Sequence, residues 1–363
     1  MDSQPARRLN ILALLPFRAK GALSLAVLRE MSERGHKVMV ASYLDGGGGY
    51  TEDPCADFSA EGRLVDMTKS HGDEGIEVLN GLVRKERVDL VLQIGSPSAY
   101  SQLPYLKEMN PGLALVDTLY NPIGHTLNHF LVEACFDGVI VESRQMRDYV
   151  VGASAKPDPG VRIVENGIDL KRFVPSARKT GDALVIAYIG RMSWEKNPLA
   201  FVDLAERLHA RLPAASWQLY GEGPMTREVR ERVGASPIGG AIRYEGYLDN
   251  PTTRLARIDV VIVPSKADGR PNVVMEANAC GIPVIGAPVG AIPELIEEGR
   301  NGFVLSPGDQ ERIGDLLAGW TADPASLDRL RATCRLVAEA RFDQVKMFDA
   351  YEAAFRGFAA RSA

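Results

Sequence analysis

Two carboxylates lie eight positions apart in the segment 264–305, around a glycine-rich helix start. Asp268 follows an apolar run that is typical of a buried parallel strand, and Glu276 lies about one turn inside a helix predicted to begin near Pro271 or Asn272. The free backbone N–H groups of such a first turn can bind an anion, for which a diphosphate is the natural candidate. Because carboxylates repel phosphate, Asp268 and Glu276 are better suited to accept hydrogen bonds from neutral hydroxyls, on a ribose and a hexose.

A pair of cations lies upstream, where Arg191 and Lys196 follow the apolar run 183–189. A transfer reaction that releases a nucleoside diphosphate must neutralise charge on the departing phosphate, and fixed cations can do this without a metal. A basic pair after a strand is by itself more often a solvated cap. Arg191 and Lys196, however, come just before the turn 219–224 and the strand end 244–247, and this position favours the interpretation that they bind phosphate.

The segment 264–305 resembles the donor site of retaining glycosyltransferase family 4. That signature places a Glu-x7-Glu pair in a Pro-Ser…Glu-Gly…Pro-Asn…Glu-Ala-x-Ala-Cys-Gly-x-Pro-Val-Ile setting. The resemblance implies that Glu276 binds the ribose hydroxyls and that Asp268, catalytic in this scheme, contacts the transferred sugar. This chain departs from the family at Asp268, which stands where the family has Glu and is one methylene shorter. The other donor-binding residues predicted in this segment are Gly269, Arg270, Asn272 and Val273.

The resemblance extends to the upstream cations. The family carries a Gly-Arg…Lys-Gly turn whose Arg and Lys hold the donor diphosphate, which implies both donor-binding and catalytic roles for Arg191 and Lys196. Asn197 stands in this chain where the family has the second Gly. The strand end 243–248 matches the position beside which the nucleotide base usually lies, and Gly246 is accordingly predicted to bind the donor.

The first half of the chain carries fainter signals. A strand at 10–15, a helix at 23–34 and a strand at 37–41 resemble the opening βαβ unit of the family. The loop glycine of that unit lies near the donor phosphates, so Gly21 is predicted to bind the donor, with Lys20 where the family usually has a second glycine.

His125 is the best catalytic candidate in this half. A histidine often closes the fifth strand of the family's first domain, and here His125 follows the strand at 113–119, with Asp117 on that strand as the expected partner. The alternative for a lone histidine at a helix entrance is a capping or packing role.

Composition is that of a large enzyme. At 363 residues, 45% hydrophobic and 25% charged, the chain is too long for one ordinary core, and its formal net charge of -5 argues against nucleic-acid binding. We expect no membrane helix, no signal peptide and a cytoplasmic location. The four cysteines are widely spaced and predict reduced, mostly buried thiols. The sequence contains no Asp-x-Asp pair, so we expect no metal and no cofactor besides the nucleotide-sugar substrate.

A βα alternation runs through both halves and predicts two parallel sheets covered by helices. With the resemblance, it implies an α/β protein of the GT-B fold, in which two Rossmann-like domains face each other across a cleft. The predicted parts are an acceptor-binding domain at 1–172, a nucleotide-sugar-binding domain at 173–342 and a helix at 343–363 that crosses back to the first domain. One stripe of that helix is apolar: Val345, Phe348, Tyr351 and Phe355.

The resemblance implies transfer of a hexosyl group from a nucleoside-diphosphate sugar to an acceptor hydroxyl with retained configuration. A glycan or lipid-linked acceptor in bacterial polysaccharide or glycan assembly is expected from the common roles of the family, and a peripheral membrane contact is left open. The alternatives are a GT-B sugar-nucleotide epimerase or phosphorylase and, from another class, a non-catalytic nucleotide-sugar-binding protein. An epimerase should show more acids and histidines facing the cleft, and a phosphorylase would need a cofactor lysine or a phosphate pocket, which is not evident in the sequence.

Overall fold

The computed structural model describes residues 7–16, 23–43, 55–70, 72–123, 125–176, 183–247, 252 and 255–362. The chain divides into two compact units, the first comprising Met1–Glu165 with Met347–Ala363 and the second Asn166–Lys346. The sequence places the corresponding divisions at 172/173 and 342/343.

Within its described residues, the first unit contains a seven-stranded parallel sheet with the strand order β3-β2-β1-β4-β5-β6-β7. Its strands are β1 Asn10–Leu15, β2 Lys37–Ser42, β3 Leu64–Asp66, β4 Leu90–Gln93, β5 Ala114–Leu119, β6 Gly138–Val141 and β7 Val161–Ile163. Its helices are α1 Leu23–Glu33, α2 Ala56–Ala60, α3 Gly72–Glu86, α4 Pro97–Tyr100, α5 Leu103–Met109, α6 Thr126–Val132 and α7 Arg144–Ala153, with a 3₁₀ turn at Glu133–Cys135.

Within its described residues, the second unit contains a six-stranded parallel sheet with the order β10-β9-β8-β11-β12-β13. Its strands are β8 Val185–Ile189, β9 Ser216–Tyr220, β10 Ile242–Gly246, β11 Val260–Val263, β12 Val284–Gly286 and β13 Gly302–Val304. Its helices are α8 Pro198–Leu208, α9 Thr226–Gly234, α10 Asn272–Ala279, α11 Ile292–Leu295, α12 Gln310–Ala322 and α13 Pro324–Arg341, with 3₁₀ turns at Trp194–Lys196 and Gly239–Ala241. The final helix of the chain, α14, is Gln344–Ser362, and from Met347 onward it belongs to the first unit.

The predicted βα alternation is confirmed in both units. The central strands are mostly apolar because helices cover both faces of each sheet, and all four residues of β11 are buried. In each sheet the strand order reverses beside the first strand of the unit, between β1 and β4 and between β8 and β11. The carboxyl ends of strands at such a reversal form a crevice in which α/β proteins bind ligands.

The final helix contributes to the core of the first unit. Phe355 and Phe358 are fully buried in that core, and a Cβ at Gly138 would lie 2.0 Å from the Phe358 ring. The predicted apolar stripe is confirmed for Phe348, Tyr351 and Phe355, which are all buried. It is wrong for Val345, which is 51% exposed, because this residue lies in the first turn of the helix, before the part that packs on the core.

The four cysteines are free and buried, as predicted from their spacing. In the described part of the chain, no helix is both long enough and apolar enough to cross a membrane.

Candidate functional site

The carboxyl ends of β8 and β11 bring together residues that are far apart in sequence. These strands are parallel neighbours at the point where the order of the second sheet reverses. The 3₁₀ turn Trp194–Lys196 follows β8, and the loop that carries Asp268 follows β11 and leads into α10. The predicted cations and the first predicted carboxylate therefore occupy one edge of one sheet.

Lys196 and Asp268 form an ion pair. Lys196 Nζ donates to Asp268 Oδ1 at 2.6 Å, and Ser265 Oγ donates to Asp268 Oδ2 at 3.0 Å. The Asp268 side chain is 5% exposed and that of Lys196 27% exposed. The charge of Asp268 is thus already compensated, which removes much of the repulsion expected between this carboxylate and a diphosphate. Its predicted contact with the transferred sugar stays a prediction.

Main-chain hydrogen bonds hold the two loops in register. The carbonyl oxygen of Glu195 accepts from Lys266 N at 2.8 Å and from Ala267 N at 3.2 Å, while Asn197 Nδ2 donates to the carbonyl oxygen of Pro264 at 3.1 Å. Because these bonds lie on either side of Lys196, this residue has little freedom to shift along the loop that carries Asp268.

Asn197 adopts the left-handed conformation, with φ 56° and ψ 49°. Glycine enters this region most readily, and asparagine does so more readily than other side chains. The structure therefore explains how this chain keeps the turn after Lys196 with Asn where the family has Gly.

Two glycines allow the main chain to pass close to the site. Gly290 has φ +56°, and a Cβ there would lie 2.1 Å from the carbonyl oxygen of Asp268. Gly221 has φ +126°, and a Cβ there would lie 1.9 Å from the carbonyl oxygen of Gly190. A side chain at either position would displace the loop that carries Asp268 or the turn that carries Arg191.

Arg191 has an exposed side chain on a fixed backbone. Its carbonyl oxygen accepts from Tyr188 Oη at 2.7 Å, and the next residue, Met192, donates its N–H to the carbonyl oxygen of Glu222 at 3.0 Å. Burial works to raise the pKa of the neighbouring Glu195 carboxyl, but the hydrogen bond from Ser193 and the charges of Arg191 and Lys196 hold that pKa below its usual value. The two cations therefore favour the ionised form of Glu195.

Helix α10 begins at Asn272, as predicted, with Pro271 as the residue before its first turn. Asn272 is exposed and Val273 is half-buried, whereas Arg270 is buried, with 4% exposure. The carbonyl oxygen of Gly269 accepts from Ala291 N at 2.8 Å, so the loop entering the helix is braced. The first N–H groups of an eight-residue helix have no partner within the helix and can face an anion.

Glu276 is half-buried on α10. Burial raises the pKa of its carboxyl to about 7, and the positive charge of Arg172 opposes this rise. Among the described residues, none donates a hydrogen bond to this carboxyl. A half-buried carboxyl with a raised pKa and unused acceptor capacity is a typical ligand-binding group.

Gly246 ends β10 with φ +79°. Its carbonyl oxygen accepts from Gly221 N at 2.8 Å, and Tyr244 Oη donates to the carbonyl oxygen of Gly221 at 2.8 Å. The strand end at which the base was predicted to lie is thus joined to the turn after β9.

Gly21 and its neighbour Lys20, the predicted phosphate loop of the first unit, lie outside the described residues.

The predicted pairing of His125 with Asp117 is wrong. His125 Nε2 lies 3.0 Å from the carbonyl oxygen of Thr118. The fully buried Asp117 carboxylate instead lies 2.8 Å from His129 Nδ1 and accepts from Tyr100 Oη at 2.9 Å. The signal for this pairing was available, because Asp117 belongs to a strand buried on both faces and a buried carboxylate requires a buried partner. His125 remains at the carboxyl end of β5, where a catalytic role for it stays a prediction.

Sequence reasoning also missed contacts that shape the second unit's site: the hydroxyl of Ser265 on Asp268 and the position of Lys266 Nζ, 5.0 Å from the ring centroid of Trp194. A serine and a lysine in a loop carry no pattern of their own, and the contact of Lys266 with Trp194 also depends on how two loops 72 residues apart lie together.

The sequence of the second unit matches a known family. The model for the family described as glycosyl transferases group 1 matches residues 183–323. Glycogen synthase of Mycobacterium tuberculosis is 27% identical over 223 residues, which are 60% of this chain and 53% of that protein. The Vi polysaccharide biosynthesis protein of Salmonella typhi is 35% identical over 129 residues, 35% of this chain and 22% of that protein. The chain thus spans about half or less of the length of these relatives.

Solved structures match the whole chain. Anabaena HepE in complex with UDP has a TM-score of 0.79 at 16% identity, with 96% of this chain and 100% of that chain covered. Sucrose-phosphate synthase from Thermosynechococcus elongatus has a TM-score of 0.78 at 18% identity, with 97% of this chain and 100% of that chain covered. At these identities the likeness establishes the fold, which is GT-B, as predicted. The chain thus has the GT-B fold, and its residues 183–323 match the model of the group 1 glycosyltransferases.

Proposed function

We propose that this protein is a retaining glycosyltransferase of family 4 that moves a hexosyl group from a nucleoside-diphosphate sugar to an acceptor hydroxyl. The observation that carries the proposal is the Lys196–Asp268 ion pair beside Arg191 at the carboxyl edge of β8 and β11. This edge supplies fixed positive charge for a diphosphate and a carboxylate for the attached sugar.

The diphosphate would bind Arg191, Lys196 and the free N–H groups of Asn272 and Val273 at the start of α10. When the bond between the sugar and the phosphate oxygen breaks, negative charge grows on that oxygen. Cations whose backbone is already fixed can stabilise this charge without reorganising. No metal or other cofactor is required in this scheme.

Glu276 would bind the ribose. A ribose offers two neighbouring hydroxyl donors, and Glu276 has acceptor oxygens that no described residue uses. Asp268 would accept hydrogen bonds from hydroxyl groups of the sugar, through the lone pairs that Lys196 and Ser265 do not use. Retention of configuration is explained if the acceptor attacks from the face that the phosphate leaves, with the departing phosphate oxygen accepting the acceptor's proton. No side-chain nucleophile is then needed.

Relatives and structural neighbours support the substrate class. HepE of Anabaena has been solved with UDP-glucose, and relatives include D-inositol 3-phosphate glycosyltransferase of Mycobacteroides abscessus, 30% identical over 201 residues. We infer a UDP-sugar donor, a glycan or lipid-linked acceptor, a role in bacterial polysaccharide or glycan assembly and a cytoplasmic location.

The test is a donor panel. The purified protein is incubated with UDP-, GDP- and ADP-sugars, with and without saccharide acceptors, and nucleoside diphosphate release and product anomers are measured. The proposal is supported if nucleoside diphosphate release depends on the acceptor and the anomeric configuration of the product is the same as that of the donor. Conversion of the donor sugar without nucleotide release would show an epimerase. Donor binding without turnover across the panel would favour a binding protein.

A further inference from the structure

Two contacts join the turn Trp194–Lys196 to the loop 266–268. The first is the Lys196–Asp268 ion pair described above. In the second, the Lys266 ammonium lies 5.0 Å from the ring centroid of Trp194. The hydrogen bonds from Lys266 N and Ala267 N to the carbonyl oxygen of Glu195 lie between them in sequence. The two contacts therefore belong to one braced unit, in which the ion pair is the inner contact and the Trp194–Lys266 pair is the outer contact.

The outer contact faces solvent. Trp194 is 65% exposed, and Lys266 is also exposed. In the described part of the chain no carboxylate forms an ion pair with Lys266, and the Glu195 carboxylate between the two contacts accepts from Ser193 Oγ instead. The outer contact thus presents an aromatic surface and a cation whose charge is not neutralised.

This exposure is unlike that of the other tryptophans. Trp217 is fully buried and Trp320 is 6% exposed, each within the hydrophobic core of the second unit. A solvent-exposed cation–π pair contributes little to the stability of a fold. An aromatic ring that is amphipathic and exposed near a ligand crevice is instead suited to binding.

We propose that Trp194 and Lys266 form a subsite for a saccharide that carries a carboxylate or phosphate group. The apolar face of a pyranose ring would pack on the indole, and the anionic substituent would pair with Lys266 Nζ. Because the backbone of both residues is held through Glu195, little conformational entropy is lost on binding. The proposal rests on the proposed transferase function, since the saccharide is a part of its donor or acceptor. A single residue separates Trp194 from Lys196, and a single residue separates Lys266 from Asp268.

Fluorescence of Trp194 provides a direct test. Because the other two tryptophans are buried, changes in the exposed, red-shifted part of the emission report on Trp194, and Trp194→Phe should remove them. The protein is titrated with glucuronate, glucose 6-phosphate, glucose and inorganic phosphate. We expect the two anionic sugars to bind about tenfold more tightly than glucose, and phosphate alone to bind more weakly than glucose 6-phosphate.

Lys266→Gln should remove the preference for anionic sugars and leave the affinity for glucose unchanged. Lys85→Gln, at an exposed lysine on α3, is the matched control and should behave as the wild type. Equal affinities for glucose and glucuronate in the wild type, or an unchanged preference in Lys266→Gln, would overturn the proposal. Far-ultraviolet circular dichroism of each variant confirms that the exposed substitution leaves the fold intact.

Kinetics then separate the two sources of the anionic group. If it belongs to the donor, Lys266→Gln raises KM for UDP-glucuronate and leaves KM for UDP-glucose unchanged. If it belongs to the acceptor, the variant raises KM for a uronate-containing acceptor only. UDP binding, measured by calorimetry, does not depend on this subsite. Wild-type protein that binds UDP but shows no preference for anionic sugars refutes the subsite alone, whereas protein that does not bind any nucleoside diphosphate refutes the transferase proposal.

Discussion

Lys196 and Asp268 pair at 2.6 Å, with the carboxylate almost fully buried and the ammonium partly exposed. The cation proposed to hold the donor phosphate therefore has an internal counter-ion in the unliganded protein. A bound diphosphate must share Lys196 with Asp268, so the pair sets both the position of the cation and the strength of its attraction for phosphate.

Asp268→Asn should separate these two effects. The amide keeps the size of the side chain but no longer neutralises Lys196, so we expect UDP to bind about threefold to tenfold more tightly, corresponding to roughly 1 kcal/mol for a partly exposed pair. Turnover should fall because the charged sugar contact is lost. Calorimetry and donor-turnover assays measure the two outcomes. Asp268→Glu, which introduces the residue typical of the family, is the control and should retain turnover; weaker UDP binding by Asp268→Asn would contradict this interpretation.

Lys196→Ala should destabilise the protein more than the double variant Lys196→Ala/Asp268→Ala. The single change leaves a 5% exposed carboxylate with only its Ser265 partner, at a cost of about 2 kcal/mol. Removing both charges relieves that cost, so the two effects are not additive. Urea unfolding of both single variants and the double variant measures the coupling energy. Additive effects would mean that the pair does not form in solution.

Arg191→Ala should lower kcat more than it weakens donor affinity. The side chain is exposed on a fixed turn, and the charge that it meets grows as the glycosidic bond breaks. Steady-state kinetics with a UDP-sugar, together with UDP calorimetry, measure the two effects. Lys85→Ala is the control for loss of a remote cation. Wild-type kcat in the Arg191 variant would assign the leaving-group role to Lys196 and the start of α10.

Glu276→Gln should weaken UDP binding and alter its pH dependence. The pKa of Glu276 is raised to about 7 by burial, and the ionised carboxylate is the better acceptor for ribose hydroxyls. UDP affinity of the wild type should therefore increase as the pH rises from about 6 to 8, beyond the change that titration of the phosphate itself produces. Glu276→Gln shows how much of the change in UDP affinity comes from the phosphate alone. UDP affinity is measured by calorimetry across this pH range, and an equal dependence on pH in both proteins would refute the ribose contact.

The stability of the unliganded protein should change in the opposite direction. A carboxyl with a raised pKa binds more protons in the folded state than in the unfolded state between about pH 4.5 and 7, so its contribution to stability falls as the pH rises through this interval. The ionised, half-buried group costs about 2 kcal/mol above pH 7. Glu276→Gln should lack this component, which thermal unfolding at several pH values can detect.

Activity should survive excess EDTA. The sequence contains no Asp-x-Asp pair, and Arg191, Lys196 and the start of α10 together offer enough positive charge for a diphosphate. Donor turnover is measured with chelator and again after magnesium or manganese is restored. Complete loss with EDTA, followed by recovery with the metal, would reveal a metal requirement and refute this scheme.

Much of the architecture is readable in the sequence. The strand Asn10–Leu15 has the predicted bounds, because strands covered by helices on both faces need continuous apolar runs. The start of α10 at Asn272 follows from local chemistry, since Pro271 cannot continue an existing helix and suits the entrance to a new one. The GT-B fold and a resemblance to glycosyltransferases were also recognisable, from the spacing of Asp268 and Glu276 within a long motif.

The tertiary structure decided which side chains are partners. Asp117 pairs with His129 although His125 lies closer in sequence, because the helix after β5 places His129 within the core. Lys196 pairs with Asp268 because β8 and β11 are neighbours and their loops are joined through Glu195. Local patterns specify where a helix or strand begins and which face is apolar. The distance between two side chains also depends on strand order, loop register and side-chain direction, and these are set only when the sheet assembles.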